Sequence, residues 1–280
     1  MLESLKESRI YKRLEDFFYK KILKALLLTS QLGRQSVLGR ADTGLNFEHM
    51  YDNKAEGITA FGTLVDRILL DMPSVKATRN RKDNIAKILR NEIRNNILRK
   101  RKTRVLDIGS GTSRYLGELK NEYSGEHIEA MCLDYDKDTV TLARRLAGGK
   151  SRVKSHVRYA RADAMKLQHL RDLARRIKWI PNVVVASGFI YYLEDAPVKE
   201  LLKEVRQGLE DQGMLIMSNV QKSLSRKLME KVCTTQYGGS WAVHYRDPEK
   251  LRAWLFEAGF RDVVIGSDPW GMYNICTARK

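Results

Sequence analysis

The sequence predicts an α/β protein: a doubly wound, seven-stranded, mostly parallel sheet with an antiparallel last strand, preceded by an N-terminal helical cap. Three observations predict it. From about residue 103 onward, short β-branched runs alternate with helical segments, the pattern of a parallel sheet covered on both faces. The first of those runs opens directly into a glycine-rich turn, Asp107-Ile108-Gly109-Ser110-Gly111. The first hundred residues, by contrast, carry their apolar residues at helical spacing.

Three helices are expected in the leading segment. Tyr11, Leu14, Phe18, Ile22 and Leu26 mark the first, interleaved with Lys12, Lys20, Lys21 and Lys24. Ile58, Phe61, Val65, Ile68 and Leu69 mark the second, which ends near Pro73, and Ile85, Ile88, Leu89, Ile93 and Ile97 mark the third. No Gly- or Pro-rich linker follows them. Residues 1–100 are therefore expected to form a cap packed on a main domain of residues 101–280. Strands are expected at Arg104–Ile108, Ile128–Leu133, His156–Arg161, Val183–Ser187, Met214–Asn219, Val263–Ser267 and Tyr273–Ala278. Helices fit between them at 114–122, 137–147, 166–177, 195–209, 222–232 and 247–258, the last started by Asp247 and Pro248. The final two strands are joined by Asp268-Pro269-Trp270-Gly271, a turn too short for a crossover, so the last strand should run antiparallel.

A chain of 280 residues with 43% hydrophobic and 30% charged residues suits a globular protein with a sizeable core. Lys and Arg number 51 against 34 acids, a formal charge of +17 that attracts anions: nucleic acid, an anionic lipid surface or an acidic small molecule. Cys132, Cys233 and Cys276 are few and far apart, which excludes a zinc ribbon or a disulfide framework. No metal site is expected. Glu3, Glu7, Glu15 and Asp16 interrupt any secretory pattern, and no apolar run reaches the roughly 18 residues of a membrane span. A cytoplasmic location is the expectation.

The glycine turn lies at the carboxyl end of the first strand, where doubly wound sheets bind ligands. The second strand ends in Leu133-Asp134-Tyr135-Asp136, where a carboxylate can accept hydrogen bonds from both hydroxyls of a ribose. The third ends in Arg161-Ala162-Asp163-Ala164, where Asp163 can accept from an adenine amino group. The fourth runs into Ser187-Gly188-Phe189-Ile190-Tyr191-Tyr192-Leu193 and brings aromatic rings to the same rim. Asp136 and Asp163 also suit helix caps, a plainer role for each. Asp107, Gly109, Ser110, Gly111, Tyr115, Asp134, Tyr135, Asp163, Ala164 and Ser187 are the candidate ligand-binding residues.

On these residues the segment 104–280 resembles the class I S-adenosylmethionine-dependent methyltransferases: the Asp-x-Gly-x-Gly of 107–111, the acid at Asp134, the Ala-Asp-Ala of 162–164 and the closing hairpin. The resemblance implies a Rossmann-like methyltransferase fold and S-adenosylmethionine as the cofactor. It also implies that Gly109 and Gly111 contact the methionine part, Asp134 the ribose and Asp163 the adenine. More loosely, the leading segment is similar to a group of bacterial proteins classed as methyltransferases. They share a stretch like Phe47-Glu48-His49-Met50-Tyr51-Asp52-Asn53 and a later Arg79-Asn80-Arg81-Lys82. A nicotinamide dehydrogenase would place a third glycine where Arg114 stands.

A sulfonium methyl group needs a base only when the acceptor is protonated. His244, just before the sixth helix of the main domain, and His49, in the cap, are the candidate catalytic residues. Tyr51, Tyr191 and Tyr192 are candidate substrate contacts, with Phe47 beside Tyr51. A small-molecule acceptor for O- or N-methylation ranks first. A lipid or anionic surface follows, on the basic amphipathic helix at 11–28. RNA comes third, on the basic run Arg94, Arg99, Lys100, Arg101, Lys102 and Arg104. A non-catalytic cofactor-binding partner protein is the remaining alternative.

Overall fold

The computed structural model describes residues 9–148, 156–166 and 179–280. The chain divides into two compact units: residues 1–78 with 223–242, and residues 79–222 with 243–280.

The helical unit begins with α1 (Arg9–Phe17), which continues through a π-helical stretch (Phe18–Leu23) into α2 (Lys24–Leu27). Next come α3 (Gln31–Gln35), α4 (Gly44–Asp52), α5 (Ala60–Leu70) and the start of α6 (Pro73–Leu98). Its small core joins Leu32, Met50, Leu70 and Val75. The apolar rows expected of α1 and α5 are present but face outward: Leu14, Phe18 and Ile22, like Ile58, Phe61 and Ile68, are exposed, while Val65 and Leu70 are buried.

In the α/β unit, the rest of α6 leads into β1 (Thr103–Ile108), α7 (Arg114–Glu122), β2 (Ile128–Asp134), α8 (Lys137–Gly148), β3 (Val157–Arg161) and β4 (Val183–Ser187). Then follow α9 (Asp195–Gly208) and β5 (Met214–Val220). After the excursion into the helical unit, which contains α10 (Arg226–Val232), the chain returns as α11 (Pro248–Glu257), β6 (Arg261–Ser267) and β7 (Tyr273–Arg279). The helix expected over 166–177 lies, apart from Lys166, outside the described residues, as does His169.

The strand order is β3-β2-β1-β4-β5-β7-β6. The first five strands pair in parallel, and β7 runs antiparallel to both β5 and β6. Asp268 makes the hairpin possible: its Oδ1 accepts from the Trp270 N–H at 2.7 Å, and Gly271 turns the chain at a positive φ of 60°. The order reverses between β1 and β4, which opens a crevice at the carboxyl ends of the strands. At the start of α11, Asp247 caps the Lys250 N–H at 2.8 Å and Pro248 takes the first helical position.

Two boundaries differ from the sequence expectation. Only the beginning of α6, through Thr78, belongs to the helical unit. Beyond it, Ile85, Leu89 and Ile93 are buried in one core with Val105, Leu116 and Ile128. Glu92 locks the same stretch to β7 through a bidentate pair with Arg279 at 2.8 and 2.7 Å. The segment 223–242, by contrast, leaves the α/β unit. Val232 and Leu228 pack with Leu27 and Val37, and the Thr234 N–H donates to the Ser36 carbonyl at 2.8 Å. Its helix starts at Arg226 rather than 222, because the Ser223 hydroxyl accepts from the Ser225 N–H and holds a turn there.

Among the described residues no helix is long and apolar enough to cross a membrane. Part of the basic run before the sheet is spent on structure: Arg101 and Arg104 both reach Glu210, at 3.0 and 3.3 Å, and Arg104 Nε donates to the Ile180 carbonyl.

Leu89 is fully buried on α6. Leu89→Ala is expected to destabilise the α/β unit by about 2–5 kcal/mol, read as a lower denaturation midpoint at unchanged m-value. A loss under about 0.5 kcal/mol, the level of an exposed position, would show that α6 is not part of that core.

Candidate functional site

Four strand ends and the loop after β1 build the site of the α/β unit. β1 delivers Asp107 and then turns through Gly109 and Gly111, at positive φ of 61° and 56°. A side chain at Gly109 could not be accommodated, because a Cβ there would lie 2.5 Å from the Phe189 Cβ. Phe189, just beyond β4, therefore sets how close the loop lies. Ser113 adopts the left-handed conformation as well, at a φ of 49°, before α7 begins.

Asp107 holds this loop from below. It is fully buried, its Oδ2 accepts from the Tyr115 hydroxyl at 2.6 Å and from the Ser113 hydroxyl, and its Oδ1 has no hydrogen-bond partner among the described residues. Burial pushes the Asp107 carboxyl up to about 7; the two hydroxyl donors oppose the shift, and the nearby Asp134 charge adds to it. The Tyr115 hydroxyl is in turn held well above its ordinary range by burial and by the Asp107 charge. Tyr115 thus positions the loop from the core.

Asp134, at the end of β2, clamps the loop from the side. Its Oδ2 accepts from the Gly111 N–H at 2.7 Å and its Oδ1 from the Asp136 N–H at 2.9 Å. Burial raises its pKa against those two backbone donors. The Ser110 N–H adds a bond to the Leu133 carbonyl at 3.0 Å. Asp136 caps α8, accepting from the Thr139 N–H at 3.0 Å, which is the plainer of its two expected roles. Tyr135 is exposed under the Arg161 guanidinium, 5.4 Å from its ring centroid. Asp163 follows β3 and accepts from the Met165 N–H at 3.0 Å; Ala164 opens the 3-10 turn Ala164–Lys166. Ser187 ends β4 with its hydroxyl 3.0 Å from that of Ser218.

The aromatic segment after β4 forms the adjoining wall. Tyr191 is buried, and its ring packs edge-on against Tyr192 at 4.7 Å. Tyr192 is half-buried and the more accessible of the two. His244 is brought beside them: its N–H donates to the Tyr191 carbonyl at 2.8 Å, and its Nε2 lies 3.5 Å from Glu194.

Two arginines that the sequence did not single out as site residues fix this wall. Arg81, on α6, is buried with its guanidinium over the Tyr273 ring at 4.5 Å and bonds the Tyr191 hydroxyl at 3.2 Å. Arg246 is almost fully buried and donates to the Ile190 and Leu193 carbonyls, to Asn219 Oδ1 and to Asp195. Its charge also faces the Trp254 ring at 5.3 Å. Arg81 stands in the Arg79–Lys82 stretch noted above. Arg246 follows His244-Tyr245, and nothing in composition distinguishes it from a surface arginine.

His49 and Tyr51 lie in the helical unit, on α4. The His49 Nε2 is 2.8 Å from Asp66 Oδ2. Asp66 is fully buried and also accepts from the Leu32 and Glu56 N–H groups, at 2.7 and 3.0 Å. Burial would raise this carboxyl, but those three donors hold it below its ordinary value. That ring nitrogen serves the packing of α4 on α5. Asn53 ends α4 in the left-handed conformation and accepts from Arg67 at 3.1 Å. Phe47 packs edge-on against Trp241 at 6.4 Å, and Tyr51 is half-buried.

The sheet order and this loop define a Rossmann-like methyltransferase fold. The chain belongs to the family described as "Putative methyltransferase", whose model matches residues 1–280. It is 25% identical over 269 residues to "Uncharacterized protein YnbC" of Escherichia coli (strain K12), covering 94% of this chain and 45% of that protein, so it spans a little under half of that relative. Among solved structures, a "possible exported protein" from Bordetella parapertussis matches with a TM-score of 0.70 at 21% identity, over 91% of this chain and 85% of that one. Magnesium protoporphyrin IX methyltransferase from Synechocystis PCC 6803, with bound SAH, matches with a TM-score of 0.57 at 13% identity, over 87% and 98%. At these identities the two structures share the fold.

The Asp107 shift has a sign that can be tested. Between the ordinary carboxyl range and about 7 the unfolded chain has released this proton while the folded chain keeps it, so stability falls as pH rises through that window. Asp107→Asn keeps an acceptor for Ser113 and Tyr115 and removes the titration. Its melting temperature relative to the wild type should therefore climb between pH 5 and pH 8. Parallel pH profiles for the two proteins would disprove the buried, protonated carboxyl.

Proposed function

We propose that this protein transfers a methyl group from S-adenosylmethionine to the oxygen or nitrogen of a small-molecule acceptor. The observation that carries the reading is the junction of Asp107, the Gly109–Gly111 turn and Asp134, with Asp163 on the next strand end. The chemistry of that donor set fits an adenosyl amino acid. The backbone at Gly109 and Gly111 allows close approach, Asp134 keeps carboxylate lone pairs for ribose hydroxyls, and Asp107 Oδ1 is a buried polar atom beside the loop left unpaired by the described residues. Ser110, Tyr135, Ala164 and Ser187 complete the rim.

When bound, S-adenosylmethionine supplies a methyl group already activated by a positively charged sulfur. The protein's task is then alignment, and rigid holding of both partners supplies most of the acceleration. Arg81 and Arg246 serve that rigidity, because they fix the segment that carries Tyr191 and Tyr192. Tyr192 is the ring better placed to meet an acceptor. His244, beside Glu194, would take the proton of a hydroxyl acceptor. His49 is left outside the chemistry because Asp66 engages it. The small-molecule preference draws support from the Synechocystis neighbour, whose name gives magnesium protoporphyrin IX as what it methylates.

Asp134→Ala should weaken S-adenosylhomocysteine binding by about 10- to 100-fold, the effect of losing hydrogen bonds to a charged acceptor, measured by titration calorimetry. Wild-type protein that fails to bind at millimolar concentration would end the methyltransferase reading. Label transfer from methyl-labelled cofactor into fractionated cell extract identifies the acceptor. With that acceptor, His244→Gln should leave cofactor affinity unchanged and lower turnover by about 10²- to 10⁴-fold, with activity recovering as pH rises. Full turnover at every pH would remove His244 from the mechanism.

A further inference from the structure

We propose that the outward face of the α1–α2 helix is a docking surface for an anionic phospholipid bilayer. The observation is independent of the reaction in the α/β unit. A helix on a protein surface ordinarily turns its apolar stripe to the core and its charges to water. This helix is mounted the other way round. Ile10, Leu14, Phe17, Phe18 and Ile22 recur at helical spacing and are 71%, 64%, 58%, 47% and 53% exposed.

The opposite side carries the acids. Glu15 and Asp16, the only acids of this helix among the described residues, face α10. Lys227 reaches Glu15 at 2.5 Å, and Lys231 reaches Glu15 and Asp16 at 2.6 and 2.7 Å. Tyr19 and Leu23 pack beside them against the core of the helical unit. The outer side is left with apolar groups and cations. Lys12, Arg13, Lys20, Lys21 and Lys24 are all exposed, and Lys20 also touches Asp16 at 3.1 Å. Arg13, Lys20 and Lys24 follow helical spacing beside the Phe17 row. The same unit exposes a second apolar row, Ile58, Phe61, Leu64 and Ile68.

Charge complementarity selects the occupant. A second copy of this face would bring two basic rows together and be repelled. An anionic bilayer takes both parts at once: aromatic and aliphatic side chains enter the boundary between headgroups and acyl chains, and lysines and arginine meet the phosphates. Pairing both acids with lysines offsets the charges that such a surface would repel.

The test is co-sedimentation of the full chain with two vesicle preparations, phosphatidylcholine alone and phosphatidylcholine containing phosphatidylglycerol. Binding to the anionic vesicles alone is expected, weakening as salt is added. Lys20→Glu/Lys21→Glu/Lys24→Glu should lower the partition coefficient by about 100-fold or more. Phe17→Ser/Phe18→Ser/Ile22→Ser should lower it by at least about tenfold. All six positions are exposed, so both variants should keep the wild-type melting temperature. Equal sedimentation with both vesicle types, or with neither, would overturn the proposal. So would a serine variant that sediments like the wild type. A concentration-dependent dimer that the serine variant abolishes, without vesicle binding, would assign the face to a second copy and overturn it equally.

Discussion

The site rests on one buried contact: Asp107 beneath the glycine turn, accepting from Ser113 and Tyr115. The turn needs three consecutive odd positions at positive φ, two of them glycine and the third Ser113. A serine there is strained by Cβ crowding, and its hydroxyl bond to Asp107 supplies the compensation. Tyr115 reaches the same oxygen from the first turn of α7. The carboxylate therefore couples the end of β1 to the start of α7, while Asp134 couples the loop to β2 through the Gly111 N–H. A turn through two glycines cannot be stiffened by its own side chains, so the stiffness comes from acids on two neighbouring strands.

The far side of the crevice solves the same problem with cations. Ile190–Tyr192 is a single 3-10 turn capped by Leu193, and its carbonyls lack strand partners. The Arg246 guanidinium satisfies the Ile190 and Leu193 carbonyls and ties them to Asn219 at the end of β5. Burying a guanidinium is costly unless its donors are met. Two backbone carbonyls, an amide oxygen, the Asp195 carboxylate and the Trp254 face meet them here. Arg81 braces the hydroxyl end of Tyr191 from α6.

Much of this was legible in the sequence. Every strand falls within two residues of its expected bounds, because buried parallel strands write themselves as β-branched runs between turn residues. The strand-end acids Asp134 and Asp163 and the turn from Gly109 to Gly111 were readable from their place after those runs. The arginines were not. Arg81 and Arg246 look like solvated charges until the fold shows which carbonyls and rings surround them. The roles of Tyr115 and His49 were hidden for a related reason. Each is engaged by a carboxylate, Asp107 for Tyr115 and Asp66 for His49, and hydrogen-bond partners cannot be read from spacing unless they share a helix. The unit boundary was missed because periodicity shows that a face is apolar and not what it meets. Ile85, Leu89 and Ile93 look no different in sequence from Leu14, Phe18 and Ile22, yet the first set is buried and the second exposed.

That contrast bears on why the helical unit exists at all. This helix holds to the protein by the ion pairs of Glu15 and Asp16 and by Tyr19, Leu23 and Leu27, and leaves a second apolar set in water although burying a single Phe or Leu side chain contributes roughly 1.5–3 kcal/mol. Had stability alone shaped α1, a rotation of half a turn about its axis would place Leu14, Phe18 and Ile22 inward and leave Glu15 and Asp16 in water. The observed orientation keeps the ion pairs and one apolar set on the protein and presents a second apolar set outward. Such an arrangement is sustained when the apolar face has a partner of its own, and the cations around it restrict that partner to a surface of negative charge.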